Sequence, residues 1–348
     1  MVGERASAGR AVDVLVILDG ASEPLRATRT SLERACTPLL DSLAAEGTVT
    51  LLATVPPGLH AGSETAIPGL LGWVPEAPLD RGAIEAAAHG VEVRDGERAW
   101  RVDRRDREDA APTADALAGV LAERLPHRRD ASRHRVHHLA GHRMLVVGPD
   151  RPPTLGGELL GIELRAGLLG TELFVWPRGV IPPRVLGEDT VVIGARGAAV
   201  GIARLLGART IVPRGATGRP GTDLPAKAAA AIGEIAAGGA TRVVVHVGAP
   251  DEAAHERDAE AKVAAIEAAD ALLLAPLAQA LRAHGGTLRV CPDHGCDPAT
   301  GKHDHAPVPC LDWPRESWGE ERTAARLTER AAAEVAVGAD PTEPAVAA

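Results

Sequence analysis

Tyrosine is absent from this 348-residue chain, phenylalanine occurs once and tryptophan five times. So few aromatics leave little with which to stack nucleobases. Lysine is also scarce: of 38 basic residues only Lys227, Lys262 and Lys302 are lysines. The 47 acidic residues outnumber the basic ones, and the formal charge of −9 argues against nucleic-acid partners. No uninterrupted apolar run reaches ten residues, so no segment is expected to cross a bilayer. The four cysteines form no CxxC pair and do not suit a disulfide-stapled fold. Cys291 and Cys296 read as buried structural thiols, Cys296 having no partner at finger spacing. The early apolar run Val14–Leu18 lies between Asp13 and Asp19 and is too short for an export segment. A cytoplasmic enzyme is the expectation.

Hydrophobic residues make up 45 % and charged residues 24 %, the balance of a globular protein. The length suggests about two domains. Val14–Leu18 reads as a buried strand, and Thr37–Gly47 as a helix with Thr37 as N-cap and Pro38 as its first residue. Val49–Val55 reads as a second strand, and Ser63 falls at a helix N-terminus. Alternation resumes with Thr190–Ile193, Ala198–Leu206, Thr210–Val212, Leu224–Ala237, Arg242–Val247, Ala259–His284 and Thr287–Cys291. Pro276 is expected to kink the long helix, and Thr323–Val335 to close the chain as a helix. Such alternation predicts an α/β fold with a mostly parallel sheet sandwiched by helices. Between residues 76 and 185 the texture changes, with a helix expected at Asp115–Leu125 and a strand at Met144–Val147. This stretch reads as a smaller α/β domain inserted into a discontinuous one formed by 1–75 and 186–340, with 341–348 a disordered tail. The histidines and arginines of 124–143 read as a solvated basic surface, or alternatively as an anion-binding wall.

Ligand sites in open parallel sheets lie beyond the carboxyl ends of the strands. Metal-binding side chains gather there in this sequence. Asp19 follows the first strand; Asp251 and His255 follow Arg242–Val247; Asp293 and His294 follow Thr287–Cys291; His303 and His305 share a later loop. Asp251 and His255 are four residues apart, so one helical turn puts both on one face. Alone, each element is ordinary surface polarity. Together they exceed the needs of one ion and fit two, roughly 3.5–4 Å apart, as in phosphoryl transfer. Carboxylate with imidazole suits Mn²⁺, Zn²⁺ or Fe rather than Ca²⁺. Ser63 is the candidate nucleophile, which a metal can activate; otherwise it is an N-cap serine. Gly215-Ala216-Thr217-Gly218 lacks the Gly-Lys-Ser/Thr ending of a nucleotide-binding loop.

The chain resembles the alkaline phosphatase superfamily, and within it the cofactor-independent phosphoglycerate mutases of archaeal type. The resemblance rests on Val16-Ile17-Leu18-Asp19-Gly20, the Thr37–Gly47 segment, Pro56–Ser63, Leu71–Pro75, Asp80–Ala86, Gly215–Gly218 with Lys227, Ala249–His255, Pro292-Asp293-His294 and Pro307-Val308-Pro309. It implies an alkaline-phosphatase-like fold and interconversion of 3- and 2-phosphoglycerate through a phosphoserine at Ser63. It also implies two divalent ions, Mn²⁺ first, with Zn²⁺, Mg²⁺ or Fe as alternatives. One would be held by Asp251, His255 and His303, the other by Asp19, Ser63, Asp293 and His294. His303 is preferred to His305 because the family histidine stands four residues before Pro-Val-Pro. Arg81, Arg143 and Lys227 would bind the small phosphorylated substrate, and the insert would hold its carboxylate and hydroxyls.

Several positions depart from the family pattern. Glu64 follows the serine where the family has Asp, Arg101-Val102-Asp103 replaces an Arg-Cys-Asn segment, no Pro-His-Asp segment follows Val147, Val200 stands before Gly201, and Arg257 replaces a glycine. Metal-site residues are thus kept better than substrate-handling ones. The alternative is a repurposed transferase or phosphatase for another small phosphate or phosphonate. A non-catalytic binding protein is a third possibility, against which the complete set of ligands and nucleophile argues.

Overall fold

The computed structural model describes residues 11–26, 28–105, 109–123, 134–150, 173–314 and 324–338. It divides into two compact units, Met1–Glu76 with Arg184–Ala348, and Ala77–Pro183. The glycine-rich stretch 156–170, the residues 124–133 of the basic segment and the tail 341–348 lie outside the described residues.

The larger unit begins with β1 (Val12–Leu18), a short helix α1 (Ser31–Arg34), α2 (Pro38–Glu46), β2 (Thr48–Leu52) and α3 (Ser63–Leu70). Pro38 opens α2, but Thr37 makes no side-chain cap. The distant Asp270 carboxylate accepts from Leu39 N (3.2 Å) and Leu40 N (2.8 Å) instead, satisfying donors that a helix start leaves open. The smaller unit contains α4 (Arg81–His89), β3 (Glu97–Arg104), α5 (Ala111–Glu123), β4 (Arg135–Ala140), β5 (Arg143–Pro149) and β6 (Leu173–Val175). The larger unit then resumes with β7 (Thr190–Ile193), α6 (Ala198–Leu206), β8 (Arg209–Ile211), α7 (Leu224–Ala237), β9 (Arg242–Val247), α8 (Ala249–His255) and α9 (Ala259–Ala269). It ends with α10 (Ala275–His284), β10 (Gly286–Cys291), β11 (Gly295–Asp297), β12 (Lys302–Asp304), β13 (Val308–Trp313) and α11 (Glu329–Gly338).

Seven strands form the large sheet in the order β2-β13-β10-β1-β9-β7-β8. The pairings among β10, β1, β9, β7 and β8 are parallel; β13 and β2 add an antiparallel edge. Apolar side chains from β1, β9 and β10 are buried, as expected where helices cover both faces. Register decides what happens at their ends. Ile17 pairs with Cys291, and Leu18 with Val247, so the three strands terminate nearly level and release Asp19, Pro292–His294 and Gly248–His255 side by side.

Two helical expectations change. Ala259–His284 is continuous, but its irregularity is a π-turn over Asp270–Leu274, just before Pro276. Widening the turn there accommodates a ring that would clash with the carbonyl four residues back. By length and composition this 26-residue run could cross a membrane, which the count of uninterrupted apolar residues did not register. Its Val263, Ile266, Leu273 and Leu277 instead pack into the core. Among the described residues the last helix is Glu329–Gly338, starting later than the Thr323–Val335 expectation, whose first residue lies outside them.

In the smaller unit an antiparallel sheet runs β4-β5-β3-β6. Alternation along β5 sends Met144 and Val146 to one cluster with Leu117, and Leu145 and Val147 to another with Ala86, so helices cover both faces.

Candidate metal centre

Two groups of ligating side chains form at the strand ends of the larger unit. The first is Asp19, Asp293 and His294, whose ligand atoms lie within 4.8 Å of one another. Asp19 stays tied to β9 through its N–H, which donates to Val247 O (3.0 Å). Asp293 Oδ1 accepts from the backbone N–H groups of Gly20 (3.1 Å) and His294 (3.0 Å). His294 Nε2 lies 3.4 Å from Asp19 Oδ1 and 3.5 Å from Asp293 Oδ2. Ser63, the first residue of α3, puts Oγ 3.4 Å from Asp19 Oδ1 and 3.5 Å from His294 Nε2.

The second group is Asp251, His255, Cys296 and His303. Asp251 Oδ2 is 3.2 Å from His255 Nε2, and Oδ1 is 3.2 Å from His303 Nε2. The two Nε2 atoms are 2.9 Å apart. Gly20 makes room for this arrangement, because a Cβ there would lie 2.5 Å from Asp251 Oδ1.

The imidazoles share one device. The Nδ1 atoms of His255, His303 and His294 sit against the carbonyls of Gly301 (3.0 Å), Ala61 (3.0 Å) and Gly295 (3.2 Å). A ring that donates Nδ1–H to a carbonyl turns an Nε2 lone pair inward, as metal-ligating histidines do. Two imidazoles held this way, with Nε2 atoms 2.9 Å apart, can be bridged by a proton or by a shared cation. Asp251 Oδ1, Asp293 Oδ2 and His246 Nε2 are buried without a hydrogen-bond partner, their charged neighbours being close but poorly aligned. A four-coordinate ion with bonds of 2.0–2.1 Å sets its donors roughly 3.3 Å apart. The donors therefore fit divalent metal.

Electrostatics agree. Burial, then Asp293 and Asp251, push the Asp19 carboxyl well above its ordinary range. Burial also works to raise Asp251, but the neighbouring imidazoles of His255 and His303 hold it well below. His303 is raised to about 9: burial opposes the shift, and Asp251 overcomes it. Three buried carboxylates so close together call for added positive charge.

Other candidates lie elsewhere. Exposed His305 bonds Leu59 O (3.0 Å) through Nε2. Lys227 is fully buried, and its ammonium donates to His246 O (2.8 Å). It therefore stands behind the carboxylates rather than on an open wall, and burial lowers its pKa to about 8. Arg81 and Arg143 belong to the smaller unit. Arg81 opens α4 and lies over the Trp176 ring at 5.0 Å; Arg143 opens β5 opposite Asp103. His138, on β4, contacts Gly141 O and Asp109, a local surface arrangement. Glu64, after the serine, meets His60 at 2.7 Å.

Sequence reasoning missed two residues. His246 places Nε2 3.1 Å from Asp19 Oδ2; the signal was a single polar residue inside an apolar strand. Cys296 does have partners. It faces His303 across the β11–β12 hairpin, whose three-residue strands are too short to show periodicity.

A family model described as the metalloenzyme superfamily matches residues 12–332. The 2,3-bisphosphoglycerate-independent phosphoglycerate mutase 2 of Methanothermobacter thermautotrophicus is 30 % identical, over 86 % of this chain and 87 % of the relative. The structure of PH0037 protein from Pyrococcus horikoshii superposes with a TM-score of 0.74 at 23 % identity, covering 93 % of this chain and 92 % of that one. The cofactor-independent phosphoglycerate mutase of Thermoplasma acidophilum gives 0.51 at 17 % identity, covering 93 % and 94 %. These two likenesses concern the fold.

Proposed function

The chain belongs to the metalloenzyme superfamily and, within it, to the cofactor-independent phosphoglycerate mutases of archaeal type, and from that premise we propose that it interconverts 3- and 2-phosphoglycerate through a phosphoserine at Ser63. The observation that carries the reading is the set of three carbonyl-anchored imidazoles turned toward carboxylates beside a single serine hydroxyl. Asp251, His255 and His303 would hold one divalent ion; Asp19, Ser63, Asp293 and His294 would hold the other, with Mn²⁺ the first candidate and Zn²⁺, Mg²⁺ or Fe alternatives. When bound, such ions neutralise charge on the transferring phosphoryl group and acidify a nearby hydroxyl.

The chain's own groups do the rest. Asp19 Oδ1 accepts from Ser63 Oγ–H and holds the hydroxyl beside the carboxylates. Ser63 Oγ gives up its proton as it attacks phosphorus; the serine ester forms, the bond from phosphorus to the substrate oxygen breaks, and the departing glycerate oxygen takes up a proton in its place. After glycerate turns, its other hydroxyl attacks the phosphoserine, loses its proton, and frees Ser63. Buried Lys227 adds a positive charge close to Asp19. The insert, with Arg81 and Arg143, is the proposed holder of the glycerate carboxylate and hydroxyls. The enzyme is read as cytoplasmic, with a small phosphorylated metabolite as its partner.

One observation favours a second reading, a different small phosphate or phosphonate. Arg101 is already engaged: Nε and Nη2 bond the two Asp103 oxygens at 3.0 Å each, Nη1 bonds Glu85 at 2.7 Å, and the guanidinium lies over Trp176. An arginine neutralised inside the protein has less charge to offer a phosphoglycerate. Phosphorus NMR with 3-phosphoglycerate and Mn²⁺ decides between the readings. Appearance of the 2-isomer, abolished by Ser63→Ala, supports the mutase. Turnover of another ester from a phosphate and phosphonate panel, with 3-phosphoglycerate inert at high enzyme concentration, discards it.

A further inference from the structure

We infer that Cys296 supplies a thiolate as the fourth protein donor to the ion held by Asp251, His255 and His303, and makes that half of the centre selective for zinc. The inference rests on the two-metal reading above and deepens it. Cys296 and His303 are directly opposed on the antiparallel β11–β12 ladder, so their side chains leave the same face. The sulfur lies within 4.8 Å of ligand atoms from Asp251, His255 and His303. Asp251 is about nine-tenths buried, and its Oδ1 has no hydrogen-bond partner. That oxygen, together with the carbonyl-anchored imidazoles of His255 and His303 beside it, is a second sign of a cation site.

Cys296 is also held in place. It is fully buried, its N–H donates to Ser22 O (2.8 Å), and its carbonyl accepts from the buried ammonium of Lys262 (2.6 Å). Cys291 and Cys310 contact each other instead, so they do not compete for this position.

Donor chemistry separates the two halves. Two imidazoles, a carboxylate and a thiolate are a zinc-type tetrahedral set, and thiolate discriminates against Mn²⁺ and Mg²⁺. The Asp19, Asp293 and His294 group has two carboxylates and one imidazole, which hard ions tolerate better. On binding, the S–H bond is replaced by a sulfur–metal bond and one proton leaves to solvent. Zinc can still take a fifth donor when a substrate oxygen enters.

The test uses full-length Cys36→Ser protein, which removes the exposed thiol, with and without Cys296→Ser. Co²⁺ is the optical probe and Zn²⁺ the competitor. The expected result is a sulfur-to-cobalt charge-transfer band in the near ultraviolet, lost in Cys296→Ser while visible cobalt bands remain. Zn²⁺ affinity at that site should fall at least about tenfold in the variant, with Mn²⁺ affinity unchanged. Zinc-edge X-ray absorption on the Cys36→Ser protein needs no change at Cys296, and one sulfur at about 2.3 Å is expected. Visible cobalt bands without sulfur, in protein still carrying Cys296, would overturn the thiolate and leave the two-metal reading intact. Failure to bind Co²⁺ or Zn²⁺ at all would overturn both.

Discussion

Replacing Gly20 with alanine puts a methyl group where Asp251 stands. Gly20 has φ +59°, and the added Cβ would lie 2.5 Å from Asp251 Oδ1, 2.8 Å from its Cβ and 3.0 Å from its Cα. The left-handed conformation costs alanine about 1–2 kcal/mol. Rotating the carboxylate relieves only the clash with Oδ1. The close approach to the Asp251 backbone and to the root of its side chain forces the start of Ala249–His255 to retreat, an overpacking change of about 1–3 kcal/mol. The expected loss is therefore about 2–5 kcal/mol, a fall in melting temperature of roughly 4–20 °C for a unit of this size. Gly238→Ala is the control. Gly238 also has positive φ (+68°), but nothing lies within 4 Å of its Cβ position, so the substitution carries only the backbone cost. Calorimetry of metal-free protein gives the stabilities, and Zn²⁺ titration gives affinity at the Asp251 group, expected to fall in Gly20→Ala alone. If both variants melt together and bind Zn²⁺ like the parent, the assignment of Gly20 as the residue that admits Asp251 is wrong.

Three further outcomes are expected. Lys262→Met removes an ammonium that donates to Ser22 O (3.2 Å) and Cys296 O (2.6 Å); urea unfolding should show a net loss of about 2–4 kcal/mol, after partial relief of a buried charge. His246 titrates near 4 in the folded metal-free protein because burial opposes its charge, so from pH 6.5 down to 4 the unfolded chain binds more protons and stability falls as pH falls. That contribution is about 3 kcal/mol, and the stability-versus-pH curve of His246→Gln should be flatter by one proton across that window; parallel curves would contradict it. Chelation should lower the melting temperature, and restoring Zn²⁺ and Mn²⁺ at a hundred times Kd should return about 2.7 kcal/mol per site, measured by calorimetry.

The parts of the site legible in sequence are those where local pattern coincides with chemistry. An apolar run ending in Asp19 is a strand end because continuous burial demands continuous hydrophobicity, and a carboxylate placed there must leave the sheet. Asp251 and His255 declare themselves by helical spacing. His246 does not, because one polar residue among valines gives no hint that its strand's neighbour carries Asp19. Asp270 capping α2 from about 230 residues away, and the antiparallel edge formed by β2 and β13, are likewise products of tertiary pairing. Cys296 shows the same limit most sharply. Its neighbours in sequence suggest an isolated thiol, and only the Cys296–His303 register turns it toward the other ligands. A one-residue slip in that hairpin would put sulfur and imidazole on opposite faces. The lysines bear on this. Arginine supplies nearly all the positive charge of the chain, yet the fully buried cations among the described residues are Lys227 and Lys262, each donating to a carbonyl on a segment that carries the centre: His246 on β9, Ser22 after β1, and Cys296 on β11. A compact ammonium fits where a guanidinium fork would not, and it fixes backbone rather than ligand. Two of the three lysines of this sequence, Lys227 and Lys262, are thus best understood as ties that hold the register on which the metal centre depends.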